Sequence, residues 1–244
     1  MQTYLKNKYS TALAYTRQHL FAFFNSPSII ILVVSTLIIL EIIAPAAYSH
    51  FFSTTFDFKK TQCLVFYLIY TFICFFVLPS FFATVILKDK LYNLGFRWPE
   101  DTLKARLLFI TAFPACIACA VWLATQPSFQ IFYGFSLRVP FTQFIIMQLI
   151  SLPLYYLIEE FFFRGLLFLL LWKRIGWHAF WITELLFTLA HLGKPGLEVL
   201  FTIPIGIFLN LLTLWTRSVL PAIIFHSTIG MLLNFIVYFD LVVT

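Results

Sequence analysis

Long runs of apolar residues follow one another through most of the chain and constrain its fold more than any other feature. A helix that crosses a bilayer needs about 20 consecutive apolar residues. Inside the hydrocarbon core only helices and closed barrels satisfy every backbone hydrogen bond, and runs of this length indicate helices. The sequence therefore predicts an all-α, polytopic transmembrane bundle of about seven membrane-spanning helices, within a range of six to eight. The predicted helices cover residues 28–48, 61–87, 105–125, 141–172, 177–191, 196–215 and 218–243.

The composition excludes a soluble or disordered protein. Hydrophobic residues make up 61% of the 244 residues and charged residues only 11%, whereas soluble domains carry about 25% charged residues. The formal net charge is +6, but Lys and Arg lie mainly in short links between apolar runs, where they contact lipid head groups. We therefore expect the lipid bilayer, and no nucleic acid, as a partner.

Four carboxylates lie well inside apolar runs, at Glu41, Glu159, Glu160 and Glu184. A charge at the bilayer centre costs about 2.5–3.5 kcal/mol on insertion scales, so each of these residues needs a reason. We interpret Glu41 as structural. Glu184 precedes His191 by two helical turns, about 10 Å along a helix. It is either structural, which we favour, or a support for that histidine.

The acidic residues of the fourth run form a cluster with a basic residue. Glu160 and Arg164 are four residues apart, so they can pair on one face of a helix. Glu159 is rotated by about 100° from Glu160 and has no partner within the run. A carboxylate in that position is suited to act as a general base.

Two histidines in later runs extend the same chemistry. His191 ends the fifth run, and His226 lies in the last one. If the helices meet, these histidines and Glu159 can either activate a water directly or hold a zinc ion whose bound water attacks the substrate. The zinc-binding motif H-E-x-x-H is absent, and the sequence leaves both mechanisms open.

These residues resemble the CPBP family of intramembrane proteases, which includes the type II CAAX prenyl endopeptidases and the bacterial Abi proteins. The resemblance covers about residues 141–240. It consists of Glu-Glu-x-x-Phe-Arg beginning at Glu159, a Phe followed four residues later by His191, and His226 in the last helix.

The resemblance implies an endopeptidase that hydrolyses a membrane-associated or lipid-anchored protein or peptide. It implies Glu159 as the base that activates water and His191 as its partner. Glu160 and Arg164 would form a supporting pair, and His226 would face the oxyanion. The family has been described both as glutamic proteases and as metalloproteases. Since Glu159 can act without a metal and the sequence has no tight ligand spacing, we expect no cofactor but keep zinc as an alternative.

The chain departs from the family pattern at Gly230, where an Asn or Asp usually follows the last His by four residues. The departure implies weaker stabilisation of the oxyanion unless Ser227 or Thr228 supplies a donor. On this interpretation, Gly230→Asn should raise turnover. Gly230 also favours one alternative, a catalytically degenerate Abi-like immunity or interaction protein. A second alternative is a proton-coupled transporter, since Glu and His residues inside membranes also form proton relays.

The resemblance also divides the chain. Residues 1–27 are predicted to form a cytoplasmic or interfacial segment, residues 28–140 N-terminal transmembrane helices, and residues 141–244 a CPBP-like catalytic core. With seven spans, most loop Lys and Arg residues lie on the side of the N-terminus, which the positive-inside rule places in the cytoplasm. We expect a multi-pass protein of a bacterial cytoplasmic membrane.

Overall fold

The computed structural model describes residues 15–16, 18–20, 22–24, 26–36, 39, 60–137 and 139–243. This part of the chain is a helical bundle and contains no β-strand. Helix α1 covers residues 60–86, and a loop that packs against the bundle leads to the remaining helices. These are α2 (Leu103–Ala124), α3 (Pro127–Leu137), α4 (Phe141–Ile175), α5 (Trp177–Ala190), α6 (Gly196–Thr216) and α7 (Leu220–Val243).

Five helices of the described residues are long and apolar enough to cross a membrane: α2, α4, α6 and the segments Tyr67–Ile86 and Leu220–Asp240. A sixth is possible if the bent pair Gln18–Phe24 and Pro27–Thr36 forms one span. The all-α polytopic bundle is thus confirmed. Most of the first predicted run, with Glu41, lies outside the described residues. The fifth run forms α5, which has only 14 residues.

Helix α4 is the centre of the bundle and is 35 residues long. Pro153 lies inside this helix, where proline lacks a backbone N–H and its ring crowds the preceding turn. A π-helical stretch, Met147–Ser151, lies just before this proline, so the helix continues with a locally wider turn. From Phe161 to Leu171 the helix is buried on all sides, between α1, α5 and α6. This burial explains why the run is apolar without alternation.

The N-terminal end of α7 is fixed by the loop that precedes α2. The Ser218 hydroxyl donates to the Arg97 carbonyl over 2.6 Å, and the Val219 amide donates to the Gly95 carbonyl over 3.1 Å. Gly95 has a φ of +87°, and a Cβ there would lie 2.9 Å from the Val219 side chain, so both conformation and space require glycine. From this anchor α7 packs along α2 and the middle of α4, which brings His226 to the acidic residues of α4.

Candidate active site

The predicted ion pair of α4 is present and completely buried. The Arg164 Nε lies 3.2 Å from Glu160 Oε2, and neither side chain is exposed. The Arg164 guanidinium also lies over the ring of Phe187, 3.9 Å from its centroid. A π-helical stretch, Phe161–Leu169, begins directly after Glu160, and such stretches often occur at functional sites.

His226 of α7 contacts both carboxylates of α4. Its Nδ1 lies 2.6 Å from Glu160 Oε1 and 3.6 Å from Glu159 Oε2. Because a carboxylate only accepts hydrogen bonds, the Nδ1 that faces two of them carries a proton. The Nε2 atom of His226 is therefore the nitrogen left for other contacts.

Glu159 is held separately from the Arg164 pair. The Tyr155 hydroxyl donates to Glu159 Oε1 over 3.4 Å, and the other carboxylate oxygen faces His226. The residue is only 4% exposed. The structure thus agrees with the interpretation of one paired and one separate carboxylate, and it adds Tyr155, which the sequence analysis missed. A tyrosine four residues before a buried acid was the available signal.

His191 lies directly after α5 and is oriented by its own helix. Its Nδ1–H donates to the Phe187 carbonyl over 2.9 Å, so Nε2 is the nitrogen free to accept a proton. The ring is buried, with 4% of the residue exposed.

The two histidines share a cavity of about 600 Å³, a volume typical of ligand sites. Its wall is mostly apolar and is formed by residues of helices α1 to α7 and of the loop between α5 and α6. Glu159 and Glu160 lie directly behind the wall, in contact with Tyr155 and His226. The polar side chains of the wall include Tyr155, Tyr156, His191, Lys194, Glu198 and His226.

A lysine and an acid occupy one side of this cavity. The Lys194 Nζ lies 3.0 Å from Glu198 Oε1, and the Tyr133 hydroxyl donates to Glu198 Oε2 over 2.7 Å. Lys194 is the only Lys or Arg in the cavity wall among the described residues. Nothing in the sequence distinguishes Lys194 as a site residue, because a basic residue in a loop between apolar runs is common.

Glu184 does not line the cavity. Its carboxylate packs against Gly206 of α6, where an added Cβ would overlap the carboxylate oxygens and lie 2.7 Å from the carboxyl carbon. Glu184 therefore belongs to the contact between α5 and α6, in line with the structural role favoured from the sequence.

This contact predicts a stability effect. Gly206→Ala forces the Glu184 carboxylate to move inside a packed interface, and overpacking of this kind costs about 1–3 kcal/mol. We expect a lower thermal unfolding midpoint in detergent. Gly196→Ala is the matched control, since nothing lies within 4 Å of a Cβ at that position. Equal midpoints for the two variants would show that the α5–α6 contact is looser than described.

The potential metal ligands in the structure are not the set expected from the sequence, which was Glu159, His191 and His226. Ligand atoms of Glu159, Glu160 and His226 lie within 4.8 Å of one another, and among the described residues His191 is not in this group. Glu160 already binds Arg164 and His226 through its two oxygens. A cation at this point would face the Arg164 charge and would displace the Glu160 bond to His226.

The comparison with known protein families points to the part of the chain that contains these site residues. Residues 140–232 match the model of a protein family described as type II CAAX prenyl endopeptidase Rce1-like, and they include all five residues predicted for the site. No curated protein and no solved structure matches the chain. The match confirms the resemblance to the CPBP proteases, and the family indicates a protease. Residues 140–232 are therefore similar to the Rce1-like type II CAAX prenyl endopeptidase family.

Proposed function

We propose that this protein is an intramembrane endopeptidase that hydrolyses a peptide bond of a membrane-associated or lipid-anchored protein or peptide. The position of Glu159 carries the proposal. This carboxylate is buried, lies outside the Arg164 pair, and is 3.6 Å from a histidine in the wall of an apolar cavity. Residues 141–244 would then be the catalytic core.

In the proposed reaction Glu159 is the general base. It takes a proton from a water in the cavity, and the resulting hydroxide attacks the carbonyl carbon of the scissile peptide bond. When the tetrahedral intermediate collapses, the C–N bond breaks and the protonated Glu159 returns its proton to the leaving amine. The neutral His191 accepts a hydrogen bond from the same water through Nε2 and thereby orients it.

His226 and the Glu160–Arg164 pair support this step. With Nδ1 bonded to Glu160, His226 presents Nε2 to the cavity and stabilises the oxyanion from there. The Nε2 atom can donate only when the ring is doubly protonated, so this contribution requires the imidazolium form. Glu160 and Arg164 hold the ring at a fixed angle because neither can move within the buried core.

The cavity favours a substrate with a large apolar part. Its wall offers apolar surface from several helices and one lysine. The name of the matched family points to prenylated C-terminal peptides, and a prenyl chain is a group that such a wall would bind. The direct test is cleavage of an internally quenched peptide that ends in a farnesylated Cys and three further residues, by the purified protein in liposomes.

Metal dependence provides a separate prediction. Since Glu159 can activate water without an ion, and Glu160 is already engaged by Arg164 and His226, we expect the cleavage rate to be unchanged by a chelator. Elemental analysis of the purified protein should show much less than one metal ion per chain. One zinc per chain together with activity lost to the chelator and restored by zinc would contradict the metal-free mechanism.

A further inference from the structure

The absence of a side chain at Gly230 determines where a tyrosine of the neighbouring helix lies. Gly230 is one turn beyond His226 on α7. A Cβ at this position would overlap the Tyr156 hydroxyl and would lie 2.7 Å from two carbons of the ring. Contacts this close are not tolerated, so Gly230 provides the space in which the end of the Tyr156 side chain is seated.

Tyr156 is also in contact with the proposed oxyanion histidine. Its ring and the His226 imidazole lie 4.1 Å apart between centroids, at 35°, and both residues line the cavity. Among the described residues, none forms a hydrogen bond with the Tyr156 hydroxyl. The neighbouring Tyr155 hydroxyl, by contrast, donates to Glu159. Tyr156 thus brings an available donor to the His226 side of the cavity.

The Ser227 and Thr228 hydroxyls, which the sequence suggested as donors, do not reach the cavity beside His226. The Thr228 hydroxyl donates to the Ile224 carbonyl over 2.7 Å on an exposed face of α7. Ser227 is buried, and neither residue is part of the cavity wall. The expectation that Ser227 or Thr228 replaces the missing donor is therefore wrong in this structure.

We propose that the Tyr156 hydroxyl, seated in the space left by Gly230, is a second oxyanion donor beside His226. This inference rests on the proposed proteolytic function. A phenol donates one hydrogen bond whether the neighbouring imidazole is neutral or charged, so Tyr156 stabilises the tetrahedral intermediate independently of the charge on His226. Tyr156 is thereby a catalytic residue that touches the reacting carbonyl oxygen.

Removal of this hydroxyl tests the proposal. Tyr156→Phe keeps the ring against His226 and removes only the donor, so we expect kcat for the farnesylated peptide to fall about 10²-fold, with KM and the thermal midpoint unchanged. Tyr92→Phe is the control, because Tyr92 is an exposed tyrosine outside the cavity wall. Equal kcat values for Tyr156→Phe and the control would overturn the proposal.

A second variant distinguishes loss of the donor from a general effect on packing. Gly230→Ala keeps the hydroxyl but displaces it, so kcat should fall in the wild-type background. In the Tyr156→Phe background the same substitution should cause no further loss of kcat, since the donor is already absent. A full additional loss in the double variant would show that Gly230 acts through packing alone and would overturn the proposal.

The same geometry reverses the earlier expectation for Gly230→Asn. The asparagine side chain would collide with Tyr156, so turnover should fall rather than rise. Failure of this inference is separable from failure of the proposed function. If Tyr156→Phe is fully active while Glu159→Gln is inactive, only the role of Tyr156 is lost. If the wild type does not cleave the peptide, both are lost.

Discussion

Purified Glu159→Gln is expected to cleave the farnesylated peptide at least 10²-fold, and up to about 10⁴-fold, more slowly than the wild type, the range typical of general bases. Glutamine has nearly the same shape as glutamate and its carbonyl oxygen can still accept the Tyr155 hydrogen bond. It cannot take a proton from water. The variant should therefore fold normally, with an unchanged thermal midpoint, and lose only the chemical step.

Glu184→Gln is the matched control for this variant. Glu184 is also buried, at 5% exposure, but it packs against Gly206, whereas Glu159 contacts His226 of the cavity wall. It should keep a rate close to that of the wild type. A wild-type rate for purified Glu159→Gln would rule out Glu159 as the base. If both variants were inactive at normal stability, activity would depend on any buried carboxylate of the bundle, and not on the position of Glu159 beside His226.

The second large effect concerns the buried ion pair. Arg164→Met preserves apolar volume but leaves Glu160 without its cationic partner in a position with no solvent exposure. Removal of one member of a buried pair typically costs about 3–5 kcal/mol. We expect a sharply reduced yield of folded protein and a lower thermal midpoint in detergent, together with lost activity.

Two comparisons define this prediction. Arg106 and Asp101 form an ion pair whose side chains are 59% and 72% exposed, so Arg106→Met should leave the thermal midpoint close to that of the wild type, because exposed ion pairs contribute little to stability. The double variant Glu160→Gln with Arg164→Met removes both buried charges and should regain much of the stability, without regaining activity. A thermal midpoint for Arg164→Met equal to that of Arg106→Met would contradict a buried pair at this site.

Some features of the site could be predicted from the sequence because they are local. The Glu160–Arg164 contact depends only on a four-residue spacing within one helix, and the separation of Glu159 depends on the helical rotation between neighbours. The all-α fold followed from the apolar runs, because lipid leaves the backbone few alternatives. The proximity of His226 to the acids required helix packing, which the family resemblance supplied.

Other features depend on contacts that no spacing encodes. The position of the Tyr156 hydroxyl depends on its contact with Gly230. Tyr156 belongs to α4 and Gly230 to α7, so the two residues are far apart in the chain. In the sequence Gly230 is only the absence of the usual Asn or Asp, whereas in the structure it leaves the space that the Tyr156 hydroxyl occupies. The grouping of Glu160 with His226 and the cavity wall built by helices α1 to α7 likewise depend on how the helices cross.

The short helix α5 sets the depth of the site within the bilayer. It begins beside Trp172 and Trp177, and tryptophans favour the membrane interface. Its 14 residues rise about 21 Å, whereas the hydrocarbon core is about 30 Å thick. With the N-terminal end of α5 at the interface, His191 would lie about 9 Å or more below the opposite edge of that core, and any tilt would increase the distance. For the proposed protease, a substrate would have to bring its scissile bond to this depth, so the length of chain between its membrane anchor and that bond would determine whether it is cleaved.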